Sequence, residues 1–245
     1  MGKTTSISWC HHTFNIVIGC QKVSEACQFC YAEAMSKRMG LKVWGANAER
    51  KILSDKYWRE PLKWNRMAEL AGERRRVFCS SMADVFEDHP TVAEQRLRLW
   101  PLIDATPNLD WLLLTKRPEN AGFFIPESGL SKNVWLMTTI EKPEYLWRAD
   151  YIKSIPATVH GLSMEPLLAD FPTFSEHANG IDFVIVGGES GPKHRPLNLD
   201  HVRRLRDECL SRGIAFHFKQ IGGMFPNSNG CLLDGYEYKQ FPKAA

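Results

Sequence analysis

The chain has 245 residues, 44% of them hydrophobic and 24% charged, with Lys+Arg 31 against Asp+Glu 28 and a formal net charge of +3. That composition excludes a disordered or collagen-like chain, and the length suits an α/β barrel folding as one domain without disulfide staples. No stretch approaches the ~18 uninterrupted apolar residues of a membrane span, and the small basic surplus neither requires nor excludes a nucleic-acid partner.

In chain order, the opening run Met1-Gly2-Lys3-Thr4-Thr5-Ser6 lacks the apolar core of a signal peptide, so a cytoplasmic location is expected. Short apolar runs then alternate with helix-like segments, the pattern of a parallel sheet built from βαβ units. Strands are expected over 6–9, 77–80, 111–115, 134–138, 158–162, 183–186 and 215–219. Most are continuous apolar runs, as when both faces of a sheet are buried.

Between the strands, Tyr31, Ala34, Met35 and Met39 form a helical stripe closed by Gly40 and are expected to pack into the core. Residues 42–64, rich in aromatic and charged side chains, read as an insertion or a lid. Thr91-Val92-Ala93-Glu94 reads as a capping box, with Ala93, Leu97 and Trp100 on one face of the helix. Asp200 is placed to cap a helix carrying Val202, Leu205 and Cys209, which Gly213 stops. No repeat or linker divides the chain. The expected fold is α/β: a single-domain open or partial (β/α) barrel with mostly parallel strands.

Polar residues gather just after these strands: Ser80-Ser81-Met82-Ala83-Asp84, Thr115-Lys116-Arg117, Thr138-Thr139-Ile140-Glu141, Ser163-Met164-Glu165, Gly187-Gly188-Glu189-Ser190 and Lys219-Gln220. In parallel α/β architectures the C-terminal strand ends form the site. Six polar strand ends in one chain exceed what packing asks for.

The seven cysteines are Cys10, Cys20, Cys27, Cys30, Cys79, Cys209 and Cys231. An odd count without an export signal argues for reduced thiols rather than a disulfide framework. Cys20, Cys27 and Cys30 crowd together, and Cys-x-x-Cys lets two sulfurs meet one metal centre. A zinc ion would need a fourth ligand, for which only Cys10, His11 or His12 is available upstream. A [4Fe–4S] cluster held by three thiolates instead leaves one iron open. Free thiols are the third reading.

With Cys27-Gln28-Phe29-Cys30 in a loop between the first strand and the first helix, the chain resembles the radical S-adenosylmethionine enzymes. Their usual spacing is Cys-x3-Cys-x2-Cys; here six residues separate Cys20 from Cys27. The whole chain is also similar to a family of phage and prophage proteins, mostly of unassigned function, grouped loosely with those enzymes. The matching stretches are Gly19-Cys20…Cys27…Cys30-Tyr31-Ala32-Glu33, Ser81-Met82-Ala83-Asp84-Val85-Phe86, Leu114-Thr115-Lys116-Arg117-Pro118, Glu165-Pro166-Leu167-Leu168, Val186-Gly187-Gly188-Glu189-Ser190-Gly191 and Phe218-Lys219-Gln220. The Thr-Lys end of the third strand further resembles spore photoproduct lyase.

These resemblances imply a [4Fe–4S] cluster on Cys20, Cys27 and Cys30, with S-adenosylmethionine chelating its open iron. Reductive cleavage would give a 5′-deoxyadenosyl radical, with the electron supplied by a reductant such as flavodoxin or ferredoxin. Ser81 and Asp84 would accept from the methionyl ammonium; Lys116 or Arg117 would grip its carboxylate; Thr138, Thr139 and Glu141 would face the ribose. Gly187, Gly188 and Glu189 form a ligand-facing turn. Glu165 and Lys219 face substrate or cofactor, or else form a pair that only stabilises the barrel. Asp84 could equally cap a turn and Arg117 sit in an ion pair, while Cys79 and Cys231 offer thiyl relays.

The expected substrate is DNA or a nucleotide, with Arg74, Arg75, Arg76, Lys193 and Arg195 on phosphates and Trp44 and Trp58 stacked on bases. The competing functions are a zinc- or cluster-stabilised nucleic-acid-binding protein without catalysis, and a barrel hydrolase using Asp84, Glu165 and Glu189.

Overall fold

A computed structural model describes residues 5–226 and 228–243; the first four residues of the opening run lie outside it. In chain order the elements are β1 (His12–Phe14), β2 (Val17–Ile18), α1 (Tyr31–Arg38), β3 (Lys51–Ile52), α2 (Asp55–Trp58), α3 (Glu60–Ala71), β4 (Arg75–Cys79) and α4 (Pro90–Asp104). They continue with β5 (Leu109–Thr115), α5 (Pro118–Phe124), β6 (Val134–Thr139), α6 (Trp147–Lys153), β7 (Val159–Met164) and α7 (Phe174–His177). The chain closes with β8 (Phe183–Gly187), α8 (Leu199–Ser211), β9 (Ala215–Gln220), β10 (Leu232–Leu233) and β11 (Tyr236–Glu237).

Seven strands form one sheet in the order β1-β4-β5-β6-β7-β8-β9, every neighbouring pair parallel. Sequential order with helical crossovers is the (β/α) pattern, and β9 does not pair back to β1, so the sheet is a half barrel. Its outer face packs on the helices through Val77, Trp111, Leu113, Leu136, Met164, Val184 and Phe216. Its inner face carries a second apolar cluster around Phe78, Leu112, Trp135, Met137, Phe183 and Ile185. Two apolar faces explain why the strands read as unbroken hydrophobic runs.

The first strand lies at 12–14 rather than 6–9. Residues 7–10 turn, with the Cys10 amide on the Ile7 carbonyl at 3.3 Å. Trp9 and Cys10 thereby drop onto the inner face. The other end of the chain reaches the same place: Phe241 packs on Phe183 and His217, and the Arg76 guanidinium sits 3.6 Å from the Phe241 ring centroid. Residues 7–10 and Phe241 therefore pack together on the inner face of the half barrel.

Three expectations about the helices need correction. Tyr31, Met35 and Met39 of α1 are exposed; the helix buries Ala32 and Ser36 instead. Helix α4 is capped by His89, whose Nδ1 accepts from the Thr91 amide, with Pro90 in its first turn, so its buried face is Val92, Leu99 and Ile103 while Leu97 is exposed. Residues 42–64 hold β3, which pairs with β2 in a two-stranded sheet apart from the half barrel, and the buried Trp58 and Trp64. Helix α8 buries Val202, Leu205 and Cys209 as expected, with Asn198 rather than Asp200 as its cap.

Candidate active site

All seven strands deliver their C-terminal ends to one side, and side chains alternate between faces there. Continuing the alternation from Leu112, Met137, Val159 and Ala215 of the inner cluster, Lys116, Thr139, Ser163, Glu165 and Lys219 stand on the inner rim. The opposite parity carries Cys79, Thr115 and Thr138 outward. Cys79 is fully buried in the helix-packed cluster, and burial pushes its thiol up to about 12. It is not at the site, which corrects its assignment as a relay. Thr138 is also fully buried, its hydroxyl donating to the Thr115 carbonyl at 3.0 Å.

Residues 19–31 lie across these strand ends and are gripped from four of them. From β5, Arg117 Nη2 donates to the Gln21 carbonyl at 2.7 Å and Nη1 lies 3.7 Å from Cys20 Sγ. Beyond β4, Glu87 accepts from the Gln21 amide at 2.9 Å, and the Tyr31 hydroxyl donates to the Ser81 carbonyl at 2.8 Å. Beyond β6, Glu141 accepts from the Ala26 amide at 3.4 Å, and Lys142 pairs with Glu25 at 2.5 Å. Beyond β8, Arg195 donates to the Glu25 carbonyl at 3.2 Å. From outside, Gly19 packs on residue 43: a Cβ there would sit 2.3 Å from the Val43 carbonyl oxygen, at a φ of +126°.

Beneath Cys20 runs a buried network of two cations and two anions. Arg50 forks onto Glu87, Nε to Oε2 and Nη2 to Oε1, both at 2.9 Å. Arg117 reaches Glu87 at 3.5 Å and Asp84 at 2.9 Å. Asp84 also accepts from the Thr115 hydroxyl at 2.7 Å and from the Phe86 and Lys116 amides, both at 3.0 Å. Both its oxygens are engaged by the chain itself, so its turn-capping and ion-pair roles are visible together. Burial raises the Cys20 thiol to about 12, with Asp84 acting in the same direction and Arg117 against it. Arg117 is the group that would favour a thiolate there.

On the inner rim, Lys219 Nζ lies 2.8 Å from Glu165 Oε1, and Lys116 Nζ donates to the Thr139 hydroxyl at 3.3 Å. The close approach that Gly187 and Gly188 permit is made by the chain's own groups. A Cβ on Gly187 would lie 2.7 Å from Glu165 Oε1, and one on Gly188 would lie 1.9 Å from the Ile221 carbonyl oxygen. Glu189 accepts a fork from Arg195, with Nε at 2.9 Å and Nη2 at 2.6 Å. Glu141 is fully buried against Arg148 at 3.1 Å. Ser81 exchanges contacts with Asn15, whose Nδ2 is 3.1 Å from its hydroxyl. Asp84, Glu165 and Glu189 are thus each matched by a cation, which leaves the hydrolase reading without an unpaired acid and base.

Several basic and aromatic expectations fall elsewhere. Arg75 and Arg76 start β4, at the opposite end of the sheet, and Arg74 and Arg75 pair with Asp110 and Glu73. Trp58 is buried against Phe14 with Arg98 over its ring, so it cannot stack on a base. Of the two remaining cations, Arg195 is at the site and bound to Glu189, while Lys193 is exposed on the turn between them.

Two residues of the site were not foreseen as part of it: Glu87 and Arg50 had no motif signal at all. Ser163 was expected there, at the polar end of its strand.

Cys20, Cys27 and Cys30 are free and half-buried on one loop. Cys30 is the N-cap of α1 without a side-chain cap bond, so unsatisfied N–H groups of the first helical turn adjoin it and favour negative charge. Among the described residues, no three His, Cys, Asp or Glu side chains are gathered as a metal ion would gather them, the three loop cysteines included. The three upstream candidates for a fourth zinc ligand are placed differently. Cys10 is buried on the inner face, His11 Nδ1 accepts from the Arg76 amide at 2.8 Å, and His12 stacks on Trp64 at 4.3 Å. His11 and His12 precede or open β1 with their rings engaged there, while Cys10 lies beneath the inner rim, near Glu165, Lys219 and Tyr31. Three thiols on one loop suit a cluster, which spreads its ligands over several metal atoms.

The chain belongs to the family described as "Protein of unknown function (DUF5131)", whose model matches residues 4–242. No curated protein matches it. Among solved structures it is similar to a spore photoproduct lyase variant, with a TM-score of 0.53 at 13% identity over 85% of this chain and 64% of that one. It is similar to spore photoproduct lyase complexed with dinucleoside spore photoproduct, with a TM-score of 0.51 at 13% identity over 79% of this chain and 59% of that one. A variant with bound AdoMet and the same dinucleoside gives a TM-score of 0.50 at 13% identity, over 80% and 60%. The chain spans under two thirds of the length of these structures. Likeness at this identity shows a shared half-barrel fold. Among the described residues no helix is long and apolar enough to cross a membrane.

Proposed function

We propose that this family member is a radical S-adenosylmethionine enzyme acting on a nucleic acid or nucleotide. One observation carries the reading: a three-thiol loop is clamped from four strand ends over the polar inner rim of a half barrel. Cys20, Cys27 and Cys30 would hold a [4Fe–4S] cluster. When bound, the cluster and S-adenosylmethionine supply reductive cleavage at a sulfonium, with an electron from a reductant such as flavodoxin or ferredoxin.

The chain's own residues bind and orient. Lys116 and Lys219 offer ammonium groups to a carboxylate or phosphate, Thr139 and Ser163 offer hydroxyls, and Glu165 can accept from an ammonium. Trp9, Cys10 and Phe241 exclude water from the floor. The nucleotide part is supported by the dinucleoside named with the structural neighbours and by exposed Lys193 near the site mouth. The same proposal covers a phage or prophage origin and action in a bacterial cytosol.

Anaerobic incubation with iron and sulfide tests the metal part. Uptake of about four irons per chain, with broad visible absorption that Cys20→Ala loses, is expected; stoichiometric zinc with no iron uptake would reject it. Binding to short DNA or RNA that weakens steeply with salt tests the substrate part.

A further inference from the structure

Arg195 is held in an unusual way. Its side chain forks onto Glu189, its own amide donates to the same carboxylate at 2.9 Å, and the turn between them is closed by the His194 amide on the Gly191 carbonyl at 3.1 Å. Glu189 is nearly buried and lies two residues past the end of β8, so the guanidinium is fixed to the end of a strand of the main sheet. A fork on a buried carboxylate is a stiff, directional anchor.

Two contacts remain for the guanidinium, and both go to the arm carrying Cys27 and Cys30. Nη2 donates to the Glu25 carbonyl, and the charge lies 5.3 Å from the centroid of Phe29, the residue between the two cysteines. Cys20 is held separately, through Arg117 and Glu87. Glu141, Lys142 and, at Tyr31, the Ser81 carbonyl also hold the Cys27–Cys30 arm, so Arg195 is one of several anchors there and none of its contacts reaches the Cys20 arm.

We propose that Arg195 is a positioning residue that helps fix the Cys27–Cys30 arm relative to Cys20, with Glu189 acting only through it. The role deepens the metal-site reading and rests on it for its consequence, but the arm's placement is testable without metal.

The measurement is alkylation of the metal-free, full-length protein by iodoacetamide, resolved by cysteine with mass spectrometry. In Arg195→Met, Cys27 and Cys30 should react about tenfold faster than in the parent, while Cys20 and Cys231 keep their rates. Glu189→Gln should act in the same direction, and the double variant should be no faster than Arg195→Met alone, since residues acting as a unit are not additive. Arg195→Lys, which keeps the charge but loses the fork, should fall between. Circular dichroism and the melting temperature of each variant check that the fold is intact; a variant that fails to fold is replaced by Arg195→Gln.

Iron loading supplies the second readout: a smaller iron content and an altered electron paramagnetic resonance line shape are expected in Arg195→Met. Unchanged alkylation rates at Cys27 and Cys30 in a folded variant overturn the proposal. A parent that takes up no iron overturns the metal reading, while the alkylation result still decides the role of Arg195.

Discussion

Arg117 Nη1 lies 3.7 Å from Cys20 Sγ and 2.9 Å from Asp84 Oδ2 while Nη2 holds the Gln21 carbonyl, so one side chain joins the end of β5 to the cysteine loop. Arg117 is nearly buried, as are Asp84 and Glu87. Removing one partner of a buried ion pair leaves uncompensated charge, at a cost of about 3–5 kcal/mol.

Arg117→Met should therefore lower stability by roughly 3 kcal/mol or more, and the melting temperature by about 6 °C or more for a chain of this size. Arg117→Lys, unable to span Asp84 and Gln21 together, should recover only part of this. A melting temperature within a degree or so of the parent for Arg117→Met would show that the network does not hold the loop.

Gly19 and Gly45 provide a paired test of the outer clamp. Their φ values are nearly equal, +126° and +124°, yet a Cβ meets the Val43 carbonyl oxygen at 2.3 Å on Gly19 and nothing within 4 Å on Gly45. Backbone strain is common to both; the clash belongs to Gly19 alone. Gly19→Ala should lose clearly more stability in urea than Gly45→Ala, and should expose Cys20 to alkylation. Equal losses would mean that close packing of residue 43 on the loop is unimportant.

Acid sensitivity should trace to His217. It is fully buried on the inner face, with Nε2 2.9 Å from the Ser8 hydroxyl. Burial first, then the nearby Lys239 charge, lowers its pKa from 6.5 to about 3. Between those values the unfolded chain binds the extra proton and the folded chain does not. Stability therefore falls as pH drops below about 6.5, by about 1.4 kcal/mol per pH unit from this group until about pH 3. In His217→Gln, unfolding free energy measured from about pH 6 to about pH 4 should decline less steeply. Parallel pH profiles would contradict the assignment.

The half barrel was legible because continuous apolar strands and polar strand ends follow directly from a sheet buried on both faces, and six of seven expected strands are present. The first strand was misplaced because Trp9 and Cys10 are apolar for a different reason, filling the inner floor rather than joining the sheet. The α1 stripe misled in the same way: Met35 and Met39 have helical spacing, but the helix turns small residues inward to sit close to the cysteine loop.

In the site, residue types at strand ends were visible, and the pairing of Glu165 with Lys219 was one of the expected alternatives. Asp84 with Arg117 and Glu189 with Arg195 are contacts between strand ends or across a turn, which no local pattern records. Arg50 and Glu87 act only through tertiary contact.

Release of 5′-deoxyadenosine is the most direct test of the central claim. The full-length protein, loaded anaerobically with iron and sulfide, is reduced in the presence of S-adenosylmethionine, and products are separated by chromatography. The account predicts 5′-deoxyadenosine and methionine from the parent, slowly even without substrate, and none from Cys27→Ala. A loaded parent with a fully formed cluster that releases no 5′-deoxyadenosine and binds no S-adenosylmethionine would contradict it.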